Sequence, residues 1–180
     1  MNQDQWEACV KFHGHSCPGL AYGFRAVEVA QSVFGVMFHA NMDEDLVCVS
    51  ENDACGVDAI QYLSGCTVGK GNLVFRHTGK MAYSFFLRKT GKKLRILYKP
   101  NLFLPEMDRE QKRLYLLTAP VEKLMVLSEP KYEAPPQAKV FDSIVCEVCG
   151  EASVEYKIHL QGGKKVCEDC FEPYSRLTFR

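Results

Sequence analysis

Two histidines and a cysteine fall within five positions in "FHGHSCPG", residues 12–19, and a Pro-Gly pair closes the stretch. In an extended or looped chain, alternate side chains at 13, 15 and 17 point the same way. His13, His15 and Cys17 then offer nitrogen and sulfur donors for zinc or another transition metal. Pro18 suits the first position of a helix, which places Cys17 at or beside the N-cap. Unpaired N–H groups and the positive helix end there favour a thiolate. Cys55 occupies a similar place, just inside a helix capped by Asn52 or Asp53, and is a candidate fourth member of the set. Three protein ligands would leave an open position for water or substrate, as catalytic sites require. The competing reading is that both imidazoles are satisfied by backbone hydrogen bonds and the thiols are small buried side chains.

The second cysteine constellation is C-x2-C, seventeen residues, C-x2-C, formed by Cys146, Cys149, Cys167 and Cys170. Each pair can bite one tetrahedral zinc from a short turn, and the segment between them forms a hairpin through Gly162-Gly163. A short helix is predicted in "FEPYSRLTF", which together with knuckle and hairpin describes a treble-clef-like zinc finger over 144–180. So short a segment buries too little surface to fold alone, so the ion is read as structural. Its acids (Glu147, Glu151, Glu155, Glu168, Asp169, Glu172) outnumber its cations (Lys157, Lys164, Lys165, Arg176, Arg180), which argues against nucleic acid and for contact with protein or simple structural support.

Other polar candidates are weaker. "SGCTVGKGN", 64–72, surrounds Lys70 with glycines that could present N–H groups to an anion. Gly65 and Gly69 enclose three residues where a P-loop needs four, so it is not a Walker motif. Asp58 follows Cys55 by one turn and is either a partner of a ligand or a solvent-facing acid. Cys66 could be a further ligand or a small core residue. Cys9 and Cys48 read as buried small residues, and His77 as a strand-end residue.

The elements that must position these groups follow from periodicity. Leu20, Phe24, Val27, Ala30 and Phe34 keep helical spacing, which predicts a helix over 19–36 ended by Gly35. "LVCVS", 46–50, reads as a strand, and "ACGVDAIQYLSG" as a helix. "NLVFRH", "MAYSFFLRK" and "KLRILYK" predict an antiparallel meander, and "PEMDREQKRLYLLTA" a helix with acids early and cations late. Strands grouped between helices indicate an α+β fold, with N-terminal helices packed on an antiparallel sheet. The core is assigned to residues 1–130, a proline-rich linker to 131–143, and the finger to 144–180.

The composition, 180 residues with 47% hydrophobic and 24% charged, is that of a globular protein. No apolar run approaches the roughly 18 residues of a membrane span, and the N-terminal residues lack a signal-peptide pattern, so a cytoplasmic protein is expected. Nine cysteines in a reducing compartment point to metal ligands or reactive thiols, not disulfides. Net charge is zero, yet residues 59–105 carry Lys70, Arg76, Lys80 and six further cations with no acid. That asymmetry marks either an anion-binding surface or a face turned toward the acidic N-terminal third, across the fold or across a dimer.

Taken together, "FHGHSCPGLAYGFRAVEVA", "ENDACGVDAIQYLSGCTVGKGNL" and "HTGKMAYSFFLR" resemble the FmdE family, named for a component of formylmethanofuran dehydrogenase, over roughly residues 5–130. The resemblance implies an α+β domain that dimerises, with His13, His15, Cys17 and Cys55 in its cleft; some relatives carry a similar C-terminal finger. That dehydrogenase works with a tungsten or molybdenum pterin and iron–sulfur clusters, and this chain lacks the dense cysteine run of a ferredoxin-type cluster. Two function classes follow. In the enzymatic one, Cys17, His15 and Cys55 are catalytic around a metal, and Lys70 or Lys80 holds an anionic small molecule. In the other, the core stores or delivers a metal or cofactor as an accessory, and the finger docks a protein partner.

Overall fold

The computed structural model describes residues 2–176. They fall into two units, divided between Ala138 and Lys139.

The first unit begins with α1 (Gln3–His13), capped by the Asn2 side chain, which accepts the Gln5 N–H. Gly14, in the left-handed region at φ 93°, ends it and reverses the chain. The second helix, α2 (Pro18–Phe34), starts where the Pro-Gly pair places it and stops at Gly35. After a 3-10 turn come β1 (Leu46–Ser50), α3 (Gly56–Ser64) and β2 (Leu73–Phe75), then β3 (Ala82–Leu87) and β4 (Lys92–Tyr98). Helix α4 (Arg109–Thr118) opens with a capping box between Asp108 and Gln111. A short helix α5 (Val121–Leu124) leads into β5 (Met125–Ser128).

The five strands make one sheet in the order β2-β1-β3-β4-β5. Of the predicted three-strand meander, the antiparallel β3–β4 hairpin is present, but β2 does not join β3, and the strand that continues the antiparallel run is β5. The sheet is nevertheless mixed, because β1 and β2 pair in parallel. Helix α3 carries the chain from the end of β1 back to its start, and a returning strand must then run in the same direction. Strand β1 lies between β2 and β3 and is buried along its whole length. Leu46 and Cys48 join Leu20, Phe24, Ile60, Phe85 and Ile96 in the main core, while Val47 and Val49 face the other way, against Phe86. Trp6 of α1 meets Phe24 of α2 edge to face at 5.3 Å.

Tyr132 and Ala134 cover that opposite face. The Tyr132 hydroxyl donates to Ser84 Oγ at 2.9 Å. The first half of the proline-rich stretch is therefore an extended strap on the sheet: prolines forbid a helix there but not packing.

Glu51, one residue past β1, is fully buried, and its carboxylate accepts from Arg95 Nε at 2.6 Å and Thr78 Oγ1 at 2.8 Å. Burial alone would raise this carboxyl. The hydrogen bonds from Arg95 and Thr78, and then the charges of Arg95 and Lys80, outweigh it and hold Glu51 below the usual value. A lowered native pKa contributes stability above the unfolded value of about 4.3 and loses it as pH falls through the native value. Glu51→Gln is expected to lower unfolding free energy at pH 7 by about 1–3 kcal/mol. The gap between variant and wild type should close below about pH 4, read from urea midpoints across pH. A gap independent of pH would contradict the assignment.

The second unit holds two hairpins, β6 (Ser143–Val145) with β7 (Ala152–Val154), and β8 (Ile158–Gln161) with β9 (Lys164–Cys167). The latter turns at Gly162-Gly163, both at positive φ. The helix expected in "FEPYSRLTF" is absent from residues 171–176, and its remainder lies outside the described residues. Phe171 instead stacks on His159 at 4.0 Å, the Glu172 N–H donates to Gln161 Oε1, and Pro173 disfavours helical backbone at Glu172.

Candidate metal centres

In the first unit, Cys17 is the N-cap of α2, with extended backbone at φ −151°, ψ 160°, and its Sγ accepts the Leu20 N–H at 3.2 Å. His13 is the last residue of α1, and the reversal at Gly14 brings His15 back beside it, with ring centroids 4.5 Å apart. The donor atoms of His13, His15 and Cys17 all lie within 4.8 Å of one another. His13 Nε2 is 3.8 Å from Cys17 Sγ, and His13 Nδ1 is 2.6 Å from Asp58 Oδ2. An ionised carboxylate only accepts, so Nδ1 carries the proton and, in the neutral ring, Nε2 keeps its lone pair toward the sulfur. Asp58, though its side chain remains partly exposed, is thus the group that orients His13, the arrangement typical of metal-bound imidazoles.

Cys55 precedes α3 and offers no side-chain cap; Asn52 Oδ1 accepts the Ala54 N–H in the turn just ahead of it. A Cβ built on Gly19 would sit 3.2 Å from Cys55 Sγ and 3.6 Å from Cys17 Sγ, so the two thiols flank the bare Cα of Gly19. Burial first, then the neighbouring Cys17, push the Cys55 thiol above its ordinary value. Cys55 adjoins Cys17 but falls outside the mutual group formed by the other three donors.

The meeting of these helix starts depends on two glycines that the chemical motifs do not single out. A Cβ on Gly23 would lie 1.8 Å from the Gly56 carbonyl oxygen, and one on Gly56 would lie 2.3 Å from the Tyr83 hydroxyl. Backbone touches backbone where α2 crosses α3. The Gly19-x3-Gly23 spacing was the available signal. Phe12 and Tyr62, both about half exposed, pair at 5.7 Å beside His13 and one turn beyond Asp58.

The two lysines fall elsewhere. Lys70 follows the C-terminal end of α3, whose other end carries Cys55, and its charge acts on Cys66. Lys80 lines a pocket with Glu51, Arg76 and Arg95. Cys66 is a core residue whose thiol donates to the Leu46 carbonyl at 3.4 Å, and Cys9 and Cys48 are fully buried.

In the second unit, the sulfurs of Cys146, Cys149, Cys167 and Cys170 also lie within 4.8 Å of one another. Cys149 and Cys167 are 3.8 Å apart, the edge of a tetrahedron about 2.3 Å in radius, as for zinc–thiolate bonds. Backbone N–H groups of Cys149, Cys167 and Val148 lower the Cys146 thiol to about 6, while the Cys167 thiol and burial raise Cys170 to about 12. The sulfurs cannot all ionise side by side without a cation, so the donor set fits a metal.

The chain has relatives among known proteins. The family described as "FmdE, Molybdenum formylmethanofuran dehydrogenase operon" matches residues 12–135. A "probable S-adenosyl-L-methionine-binding protein" of Archaeoglobus fulgidus is 25% identical over 177 aligned residues, covering 82% of this chain and 48% of that protein. The chain therefore spans about half the length of that relative. The crystal structure of a tungsten formylmethanofuran dehydrogenase FmdE-like protein from Syntrophus aciditrophicus superposes with a TM-score of 0.69 at 21% identity. The match covers 93% of this chain and 90% of that one, and the two share the fold.

Proposed function

Because the chain belongs to the FmdE family, we propose that it is a metal-binding protein with two centres of different purpose. His13, His15 and Cys17, with Cys55 alongside, hold one transition-metal ion with an open position, and the four C-terminal cysteines hold a structural zinc. The observation that carries this reading is the carboxylate on His13: Asp58 fixes the proton on Nδ1 and leaves Nε2 to face the sulfur. A bound ion would supply Lewis acidity toward a substrate oxygen or stabilise a thiolate. Asp58 orients and holds the His13 proton, the Leu20 N–H supports negative charge on Cys17, and Phe12 and Tyr62 form an apolar rim. The family description names a molybdenum formylmethanofuran dehydrogenase operon, which supports a setting in one-carbon or redox metabolism. Nine free thiols persist most readily in a reducing compartment such as the cytoplasm.

Elemental analysis of the anaerobically purified full chain tests this. About two metal equivalents are expected, falling to about one in His13→Ala and to about one in Cys146→Ser/Cys149→Ser. In competition with a chelator, Asp58→Asn is expected to weaken core binding by about 10–100-fold. A single equivalent lost only with the C-terminal cysteines would sink the core centre.

A second reading, an accessory that docks a partner through the finger, is favoured by Val145, Val148, Tyr156 and Leu160, all exposed on that small unit. Val126 and Leu127, exposed on edge strand β5, offer a surface for the homodimer the family resemblance implies.

A further inference from the structure

The sheet face opposite the helices holds a pocket of about 280 Å³ that neither metal centre uses. Its cations are Arg76, Lys80, Arg95 and Lys131, arranged around Glu51 and the Tyr132 ring. Arg95 is committed to Glu51 at 2.6 Å. Glu129, the other acid on the wall, reaches Lys93 at 3.5 Å. Among the described residues, Arg76, Lys80 and Lys131 have no carboxylate within ion-pair distance. The Arg76 guanidinium lies 4.8 Å over the Tyr132 ring, and Tyr132 is itself pinned by its hydrogen bond to Ser84. The guanidinium fork is thereby oriented in advance, while the lysines contribute mobile point charges.

Three unpaired cations converging on one concavity create a local positive potential that favours a multiply charged anion. A planar fork flanked by ammonium groups suits a phosphoryl group, which can accept from the fork in a bidentate manner. The volume lies just below the range of about 300–1,000 Å³ for drug-sized ligands, which leaves room for a phosphate with a few further atoms but not for a nucleotide. We propose that this pocket binds the phosphate group of a small molecule, with Arg76 as the fork and Lys80 and Lys131 as flanking charges. The buried Glu51–Arg95 pair forms its floor. This assigns the anion role expected of Lys80 to the far side of the sheet, and it does not depend on either metal.

Isothermal titration calorimetry of the full chain at low salt, with inorganic phosphate and separately with glycerol phosphate, tests it. One saturable site is expected, weakened about tenfold or more by Arg76→Gln and by Lys80→Gln, both at exposed positions, and unchanged by Lys112→Gln on α4. Arg76→Lys keeps the charge but removes the fork and should still lose several-fold in affinity, with circular dichroism verifying the fold of each variant. Tighter binding of glycerol phosphate would assign an organic phosphate, and equal binding free phosphate. The proposal is overturned if neither ligand saturates by about 10 mM. Equal loss in Lys112→Gln, or binding only of a single-stranded oligonucleotide, would overturn it as well.

Discussion

Removal of metal from the Lys139–Arg180 unit is expected to unfold that unit and leave the first one intact. Among its described residues the module's core buries Cys146, Val166 and Cys167, with Ile158, Cys170 and Phe171 packed against them, and three of those six side chains are candidate ligands. Two short hairpins of this kind are not stable alone, and domains below about 40 residues need a metal or disulfides. Structural zinc supplies an apparent 10–16 kcal/mol in comparable peptides, roughly the whole folding free energy of such a unit. In nitrogen–proton correlation spectra, a chelator at pH 7 should collapse the amide signals of residues 143–167 toward random-coil positions. One equivalent of zinc should restore them. Cys149→Ser should reproduce the collapse without chelator, with the urea midpoint of the first unit unmoved. Dispersed signals in the metal-free module would show that packing alone suffices.

Gly23→Ala is expected to destabilise the first unit by about 3 kcal/mol or more and to reduce metal in the core centre. The added methyl would meet a backbone carbonyl at 1.8 Å, and a carbonyl cannot rotate away as a flexible side chain can. Overpacking ordinarily costs about 1–3 kcal/mol, and relief here requires α2 and α3 to separate along their crossing. Cys17 and Cys55 sit at the starts of those two helices, so the same movement parts the thiols. Ser32→Ala, on an exposed position of α2, should change stability by no more than about 0.5 kcal/mol. Urea unfolding and metal content measure both effects, and wild-type stability in Gly23→Ala would mean the helices do not touch there.

Local chemistry was readable where one residue type decides the outcome. Pro18 after Cys17 announced the start of α2, Gly35 its end, and the paired C-x2-C motifs a four-sulfur cluster. The α+β class followed from the grouping of strand-like segments. What escaped the sequence depends on tertiary crossing. The parallel β1–β2 pair is set by the path of α3, which no local pattern records. Asp58 meets His13 across 45 positions, and only the packing of α1 on α3 creates that contact. The glycines around Lys70 suggest an anion site near the thiols, whereas the fold puts Lys70 past the far end of α3 from Cys55 and Lys80 in the outer pocket. The prolines around Tyr132 mark a linker by composition, yet an aromatic ring in extended chain can still pack on a sheet.

Successive side chains of an extended segment turn to opposite sides, and where β1 ends this alternation ties the two faces of the sheet together. Glu51 forms the floor of the cationic pocket, while Asn52, next along the same backbone, holds the turn that leads to Cys55. Any energetic communication through that joint obeys reciprocity: the factor by which an anion alters metal affinity is the factor by which the metal alters anion affinity. Titrating one ligand at fixed levels of the other would therefore give a single coupling constant from either direction.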